Sequence, residues 1–202
     1  MQLATQWNHG ENHAYPRLLT PDDYLAWEQR QDAKHEYWAG EVYAMVGARD
    51  AHVTVTGNVF ALLRAHLRGT PCRTFISDMK LRVEAANAFF YPDVFVTCDA
   101  RDRDTDTYKA HPVLVVEVLS ESTASFDRGR KFAAYRLFDS LQDYVLIDPE
   151  NFTVDVFRRD ESNHWALYPY ENEGRVAFAS IGLALSWSEI FEDVANFRSI
   201  ER

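Results

Sequence analysis

Apolar positions follow two periods along the chain. From about Ala51 to Leu67, Val55, Val59, Leu62, Leu63 and His66 recur at helical spacing, and Gly69-Thr70-Pro71 ends that helix. Thr20-Pro21-Asp22-Asp23 opens an earlier one, with Thr20 placed to cap, Pro21 suited to the first helical position and two acids at the positive end of the dipole. It runs to about Arg30. His35–Trp38 and Glu41–Met45 flank Ala39-Gly40, a hairpin signal. Thr74–Glu84 and Phe89–Cys98 read as strands joined by Ala85–Ala88. Val113–Leu119 is an almost unbroken β-branched run, which predicts a strand covered on both faces. A charged loop, 99–111, precedes it, and a helix follows from about Ser122 to Asp139. Tyr144–Asp148 reads as a buried strand, Thr153–Arg158 and Trp165–Tyr170 as two antiparallel strands, and Ser188–Phe191 as the start of a short last helix. Residues 1–17 lack periodicity and read as an N-terminal arm, 18–194 as one mixed α/β domain with one sheet, and 195–202 as a tail.

Length and composition fit that outline. The chain has 202 residues, 47% hydrophobic and 14% aromatic, enough core material for one ordered domain. No apolar run approaches the roughly 18 residues that span a bilayer, and the start lacks a charged-then-apolar signal, so the expected location is cytoplasmic. Cys72 and Cys98 are too few for a disulfide framework or a zinc cluster, and they read as small buried apolar residues.

Charge complicates the choice of partner. The net charge of −10 disfavours nucleic acid, which attracts Lys and Arg. The acid is concentrated in 139–193, however, with twelve Asp or Glu against three Arg. Two basic stretches lie elsewhere: 60–82, with Arg64 and Arg68, and 127–136, with Arg128 and Arg130.

Three pieces could carry chemistry. In Tyr91-Pro92-Asp93-Val94 an acid opens a strongly apolar strand. In Val115-Val116-Glu117-Val118-Leu119 a lone carboxylate interrupts a buried run, where an unpaired charge costs several kcal/mol. Two carboxylates on adjacent strands would seat Mg²⁺, a hard cation that keeps several waters. The alternative is a buried ion pair of Glu117 with Arg130 or Lys131. In the third piece, Asp127, Lys131 and Tyr135 are spaced by four and share a helix face. Lys131 there is either half of a solvated ion pair or a cation set beside the metal.

Taken in order, Pro92-Asp93, Glu117 and a nearby Lys resemble the PD-(D/E)xK nuclease superfamily. More closely, the chain resembles the Uma2 family of endonucleases. That likeness rests on Glu36-Tyr37-Trp38-Ala39-Gly40-Glu41, Tyr91-Pro92-Asp93-Val94, Val115 to Thr123, Asp127 with Lys131 and Tyr135, and Tyr144 to Pro149. It covers about residues 18–194. The resemblance implies a restriction endonuclease-like fold, with a central mixed β-sheet flanked by helices. It also implies phosphodiester hydrolysis at a site of Mg²⁺ or Mn²⁺ held by Asp93 and Glu117. The superfamily's Lys usually lies two residues after the second acid, where this chain has Leu119. The Uma2 pattern supplies it from the next helix, as Lys131.

Glu36 resembles an auxiliary acid near the metal, or is an ordinary hairpin-edge acid. His52 and Asp78 could line the cleft. Alternatively, His52 is a polar residue of a first helical turn, and Asp78 pairs with Lys80 two residues on. The remaining histidines lack metal-ligand spacing, and no P-loop, GxGxxG or GxSxG occurs. The expected function is a divalent-metal-dependent endonuclease acting on DNA, with Asp93, Glu117 and Lys131 catalytic and Arg64, Arg68, Arg128 and Arg130 contacting nucleic acid. A homodimer would suit a two-stranded substrate. The rival reading is a catalytically inactive nuclease-fold module that binds nucleic acid or a protein partner. A third is a buried ion-pair network without a ligand.

Overall fold

A computed structural model describes residues 18–171 and 174–195; the expected arm, 1–17, and most of the expected tail lie outside them. Helices α1 (Pro21–Glu28) and α2 (Asp50–His66) bracket the hairpin of β1 (His35–Trp38) and β2 (Glu41–Ala44). The Asp23 N–H donates to Thr20 Oγ1 at 3.1 Å, so the expected cap forms. Strands β3 (Arg73–Ile76), β4 (Lys80–Val83), β5 (Ala88–Phe90), β6 (Val94–Thr97), β7 (Tyr108–Lys109) and β8 (Pro112–Val118) follow. Next come α3 (Ala124–Phe126), a π-helical turn (Asp127–Lys131) and α4 (Phe132–Tyr135). Strands β9 (Asp143–Asp148), β10 (Thr153–Arg159), β11 (Trp165–Glu171), β12 (Arg175–Phe178) and β13 (Leu183–Ser186) lead to α5 (Trp187–Ile190).

The one sheet expected from the sequence is three. A six-stranded sheet runs β11-β10-β9-β8-β6-β3, a five-stranded sheet β2-β1-β5-β4-β7, and β12 and β13 form a separate hairpin. The two runs that read as single strands are each divided between the larger sheets. Thr74–Glu84 breaks at Ser77-Asp78-Met79 into β3 and β4, and Phe89–Cys98 breaks at Tyr91-Pro92-Asp93 into β5 and β6. Pro92 has no N–H to continue a ladder. The Ser77 N–H, at φ +36°, donates to the Asp93 carbonyl at 3.1 Å and pins the two crossing points together. Asp93 therefore sits where the chain changes sheets. The β12–β13 hairpin, unforeseen in the sequence, has strands of four residues, too short for a clear period of two.

Strand β8 is covered on both faces, as expected. Leu114, Val116 and Val118 join a core with Val55, Val59 and Leu63 of α2 and Ile190 of α5. Val115 and Leu119 join a second core with Phe132 and Tyr135 of α4 and with Leu81, Val83 and Phe90 of the five-stranded sheet. Glu117 shares the parity of Val115 and Leu119, so it points into the layer beneath α4. Strands β8 and β9 are parallel and the other neighbours in this sheet antiparallel, so the sheet is mixed, with α2 and α5 on one face and α4 on the other.

Cys72 and Cys98 form a disulfide rather than two buried thiols. Arg73 pairs with Thr97 across β3 and β6, which sets the flanking cysteines opposite each other. That pairing depends on register between strands that are not neighbours in sequence and brings together cysteines 26 residues apart, which spacing alone does not reveal.

Candidate functional site

The ends of β6, β8 and β1, the first turn of α2 and the π-helical turn converge on one cluster of acids. The Asp93 N–H faces Glu117 Oε2 at 3.4 Å, and the Val118 N–H donates to Asp93 Oδ2 at 2.8 Å. Asp93 and Glu117 are thus neighbours across two adjacent strands. His52, three residues into α2, places Nε2 3.2 Å from Asp93 Oδ2.

Lys131 lies beneath them. Its Nζ is 3.0 Å from Glu117 Oε1, 3.0 Å from Glu36 Oε1 and 3.6 Å from Asp127 Oδ1. The Tyr135 hydroxyl donates to Glu117 Oε1 at 3.0 Å. Asp127, Lys131 and Tyr135 do share a face, but across a turn wider than an α-helix. Widening to an i→i+5 pattern frees backbone carbonyls. The Tyr144 hydroxyl, 2.9 Å from the Asp127 carbonyl, takes up one of them. Tyr144 was not picked out in the sequence, although a hydroxyl inside the apolar β9 run is the same signal that marks Glu117.

Exposure divides the cluster. The side chains of Glu117, Asp127 and Lys131 are 4%, 4% and 7% exposed and form a floor; Asp93, His52 and Glu36, at 18%, 17% and 14%, form a rim open to solvent. Burial pushes Glu117 well above the usual carboxylate range; Lys131 opposes this, and Asp127, Asp93 and Glu36 add to it. Burial likewise lifts Asp127 to about 6 against the pull of Lys131. Burial alone would lower Lys131, but Glu117, Glu36 and Asp127 outweigh it and hold the ammonium charged. His52 is raised, as Asp93 and the Val118 carbonyl overcome its desolvation. Three acids thus surround one ammonium, with Asp93 beside Glu117, so protons settle on the acids rather than leave the lysine.

The other candidates lie outside this cluster. Asp78 is bound by Lys34 with its side chain 78% exposed, and Lys80 donates to the Tyr91 hydroxyl at 3.1 Å, so the expected Asp78–Lys80 pair does not form. Arg130 does not pair with Glu117; it lies over the Trp38 ring, 4.9 Å from its centroid. Arg128 is bound to Asp155 at 2.5 Å. Arg64 and Arg68 are exposed at the far end of α2, with Arg64 about 18 Å along the axis from His52. Arg64 and Arg68 therefore stand away from Asp93, and Arg128 is already paired.

The donor set suits a hard divalent cation. Asp93 Oδ1 accepts no hydrogen bond among the described residues, and Glu117 Oε2 accepts only the long one from Asp93. Excess negative charge in a buried site calls for a further cation or for shared protons. No group of three or more His, Cys, Asp or Glu close enough to hold a metal occurs among the described residues. A cation here would take two carboxylates and complete its shell with water or phosphate oxygen, the habit of Mg²⁺. Among the described residues no helix is long and apolar enough to cross a membrane.

Comparison with known proteins agrees with the architecture. Two uncharacterized proteins of Synechocystis sp. (strain ATCC 27184 / PCC 6803 / Kazusa) are similar. One is 37% identical over 187 residues, 93% of this chain and 98% of the relative; the other is 33% identical over 156 residues, 76% and 88%. A crystal structure from Anabaena variabilis ATCC 29413, described as "a putative nuclease belonging to DUF820", superposes with a TM-score of 0.71 at 18% identity, covering 86% of this chain and 97% of that one. It shares the mixed α/β fold with mixed sheets. The family described as "Uma2: Putative restriction endonuclease" matches residues 21–191, which take in the whole acid cluster, and the chain belongs to that family.

Proposed function

We propose that the chain is a divalent-metal-dependent endonuclease that hydrolyses phosphodiester bonds in DNA. The observation that carries this reading is the meeting of Asp93 and Glu117 on adjacent strands, with Asp93 Oδ1 unused and Glu117 Oε2 held only by a long bond, above a lysine supplied by the following helix. Asp93 and Glu117 would hold Mg²⁺ or Mn²⁺. The ion, when bound, makes a nucleophile of water near neutral pH and stabilises charge on the scissile phosphate. Lys131 keeps its charge beneath the two acids and orients Glu117 and Glu36 through 3.0 Å contacts. It does from the helix what the superfamily's strand lysine does from the position of Leu119, which here packs in the core. His52 fixes the Asp93 carboxylate, and Tyr135 fixes Glu117. The open rim of Asp93, Glu36 and His52 is where a phosphate would enter.

The test is cutting of duplex, single-stranded and branched DNA with Mg²⁺, with Mn²⁺ and with EDTA. Cutting is expected with either metal and not with EDTA. Asp93→Asn and Glu117→Gln should each lower the rate by about 100-fold or more, the scale set by losing one group that stabilises transition-state charge. Full activity in Glu117→Gln would sink the assignment. Binding without cutting under every condition would make the chain the non-catalytic module.

A further inference from the structure

Arg130 differs from its charged neighbours. Arg128 is committed to Asp155, Lys34 to Asp78, and Lys131 to three acids on the floor of the site. Arg130 is exposed, makes no hydrogen bond or ion pair among the described residues, and lies over the Trp38 ring at 4.9 Å. Trp38 is itself buttressed by Phe90 and Phe126, with centroids at 5.9 and 5.7 Å, so the stack has a rigid base. It stands next to the acid cluster. Trp38 is two residues from Glu36 along β1, on the same face and about 7 Å away, and Arg130 immediately precedes Lys131.

Duplex binding draws its strength from the number of phosphates neutralised. A chain of net charge −10, with Arg64 and Arg68 away from the site and Arg128 and Lys131 committed to acids, is poorly supplied for that. Stacking needs no such charge, because every unpaired base offers a flat face to an aromatic ring or a guanidinium plane, whereas a paired base does not. We infer that Trp38 and Arg130 form a stacking clamp for an unpaired base, so that the substrate of this site is DNA with a single-stranded stretch at the point of cutting. A base lies on the outer plane of the Arg130 guanidinium, which keeps its N–H donors for the adjoining phosphate. This inference rests on the reading of the acid cluster as a nuclease centre.

Binding to a short fluorescent oligothymidylate and to an oligo(dA)·oligo(dT) duplex of equal length, followed by anisotropy in EDTA, tests the clamp. Wild type should bind the single strand more tightly. Arg130→Lys keeps the charge and removes the plane, and it should weaken single-strand binding by about fivefold to 100-fold. Trp38→Leu should do the same and Trp38→Phe recover part of the loss. Arg130 lies outside the core, so the arginine variant remains informative if a tryptophan variant unfolds. Equal affinity for the two forms, no binding to either, or unchanged binding by Arg130→Lys would overturn the clamp. Strand-selective binding without cutting under any metal would leave the clamp standing and remove the nuclease reading. Metal-dependent cutting without strand preference would do the reverse.

Discussion

Asp102 and Glu117 are buried alike, each 3% exposed, yet their surroundings give them opposite characters. Asp102 accepts from the Thr97 hydroxyl at 2.6 Å, from the Ala110 and His111 N–H groups at 2.8 and 3.1 Å, and faces His111 Nδ1 at 3.0 Å. Burial works to raise its carboxyl, but these donors outweigh it and hold it below the usual carboxylate range. It is a staple that ties the 99–111 loop to the end of β6. Glu117 has one ammonium, one hydroxyl and a long bond from the Asp93 N–H, and Asp127, Asp93 and Glu36 press on it. A buried carboxylate ringed by donors is settled as an anion. One held among other anions is short of positive charge and can take up a cation.

The strongest way to break this contrast is to remove each acid in turn. Asp102→Ala leaves two backbone N–H groups and a hydroxyl without their acceptor, and should cost about 3–5 kcal/mol of stability. Glu117→Gln removes charge from a crowded site and keeps the shape. Lys131 retains Glu36 and Asp127, so no cation is stranded. In EDTA the Gln variant should melt at or above the wild-type temperature. Thermal unfolding of the two variants side by side decides the matter. A loss in Glu117→Gln as large as in Asp102→Ala would make Glu117 a structural partner like Asp102.

Opposite pKa directions give opposite pH windows. Asp127 titrates near 6 in the folded chain and near 4 unfolded, so between those values the folded state holds more protons. The stability tied to Asp127 is therefore complete below about pH 4 and falls by about 3 kcal/mol as pH rises to about 6. Glu117 is raised as well and acts in the same direction. Asp102 is lowered, so its contribution is complete above about pH 4 and is lost only below it. Denaturant unfolding in EDTA at several pH values should show Asp127→Asn gaining on wild type between about pH 4 and 6. Asp102→Asn should show a constant gap over that range. A constant gap for both would remove the electrostatic distinction.

The same two acids show why the site was easier to read from sequence than the fold around it. Glu117 interrupts an apolar run, so burial was legible from its neighbours, and with it the need for compensation. Asp102 sits in DARDRDTDTYKAH, where charged neighbours hide that one of them is a buried staple. Most element positions followed from periodicity. Division of the strands between two sheets did not, because it turns on Pro92 and on a bond from Ser77 to Asp93. The cystine escaped notice for a related reason, being a matter of strand register. Lys131 was legible as a helix residue, but its capture by three acids needed the hairpin carrying Glu36 to fold over it.

The weakest expected effect concerns Asp78, which the sequence offered as a lining residue of the cleft. It lies one residue beyond the turn pinned to the Asp93 carbonyl, yet its carboxylate goes to Lys34 in the open, with side chains 78% and 43% exposed. Such a pair gains little Coulomb energy in water and gives up side-chain freedom to form, so its net worth is about 0–1 kcal/mol. Salt should shrink it further, since both groups are within reach of mobile ions. Asp78→Ala should therefore shift unfolding by less than about 1 kcal/mol at low salt and by nothing measurable near 1 M salt. Metal-dependent cutting should be unchanged, because the side chain is turned from the cluster in which Glu117 and Asp93 meet. A large loss of cutting with unchanged stability would place Asp78 in the site, and nearness along the chain would then have told more than the orientation of the side chain.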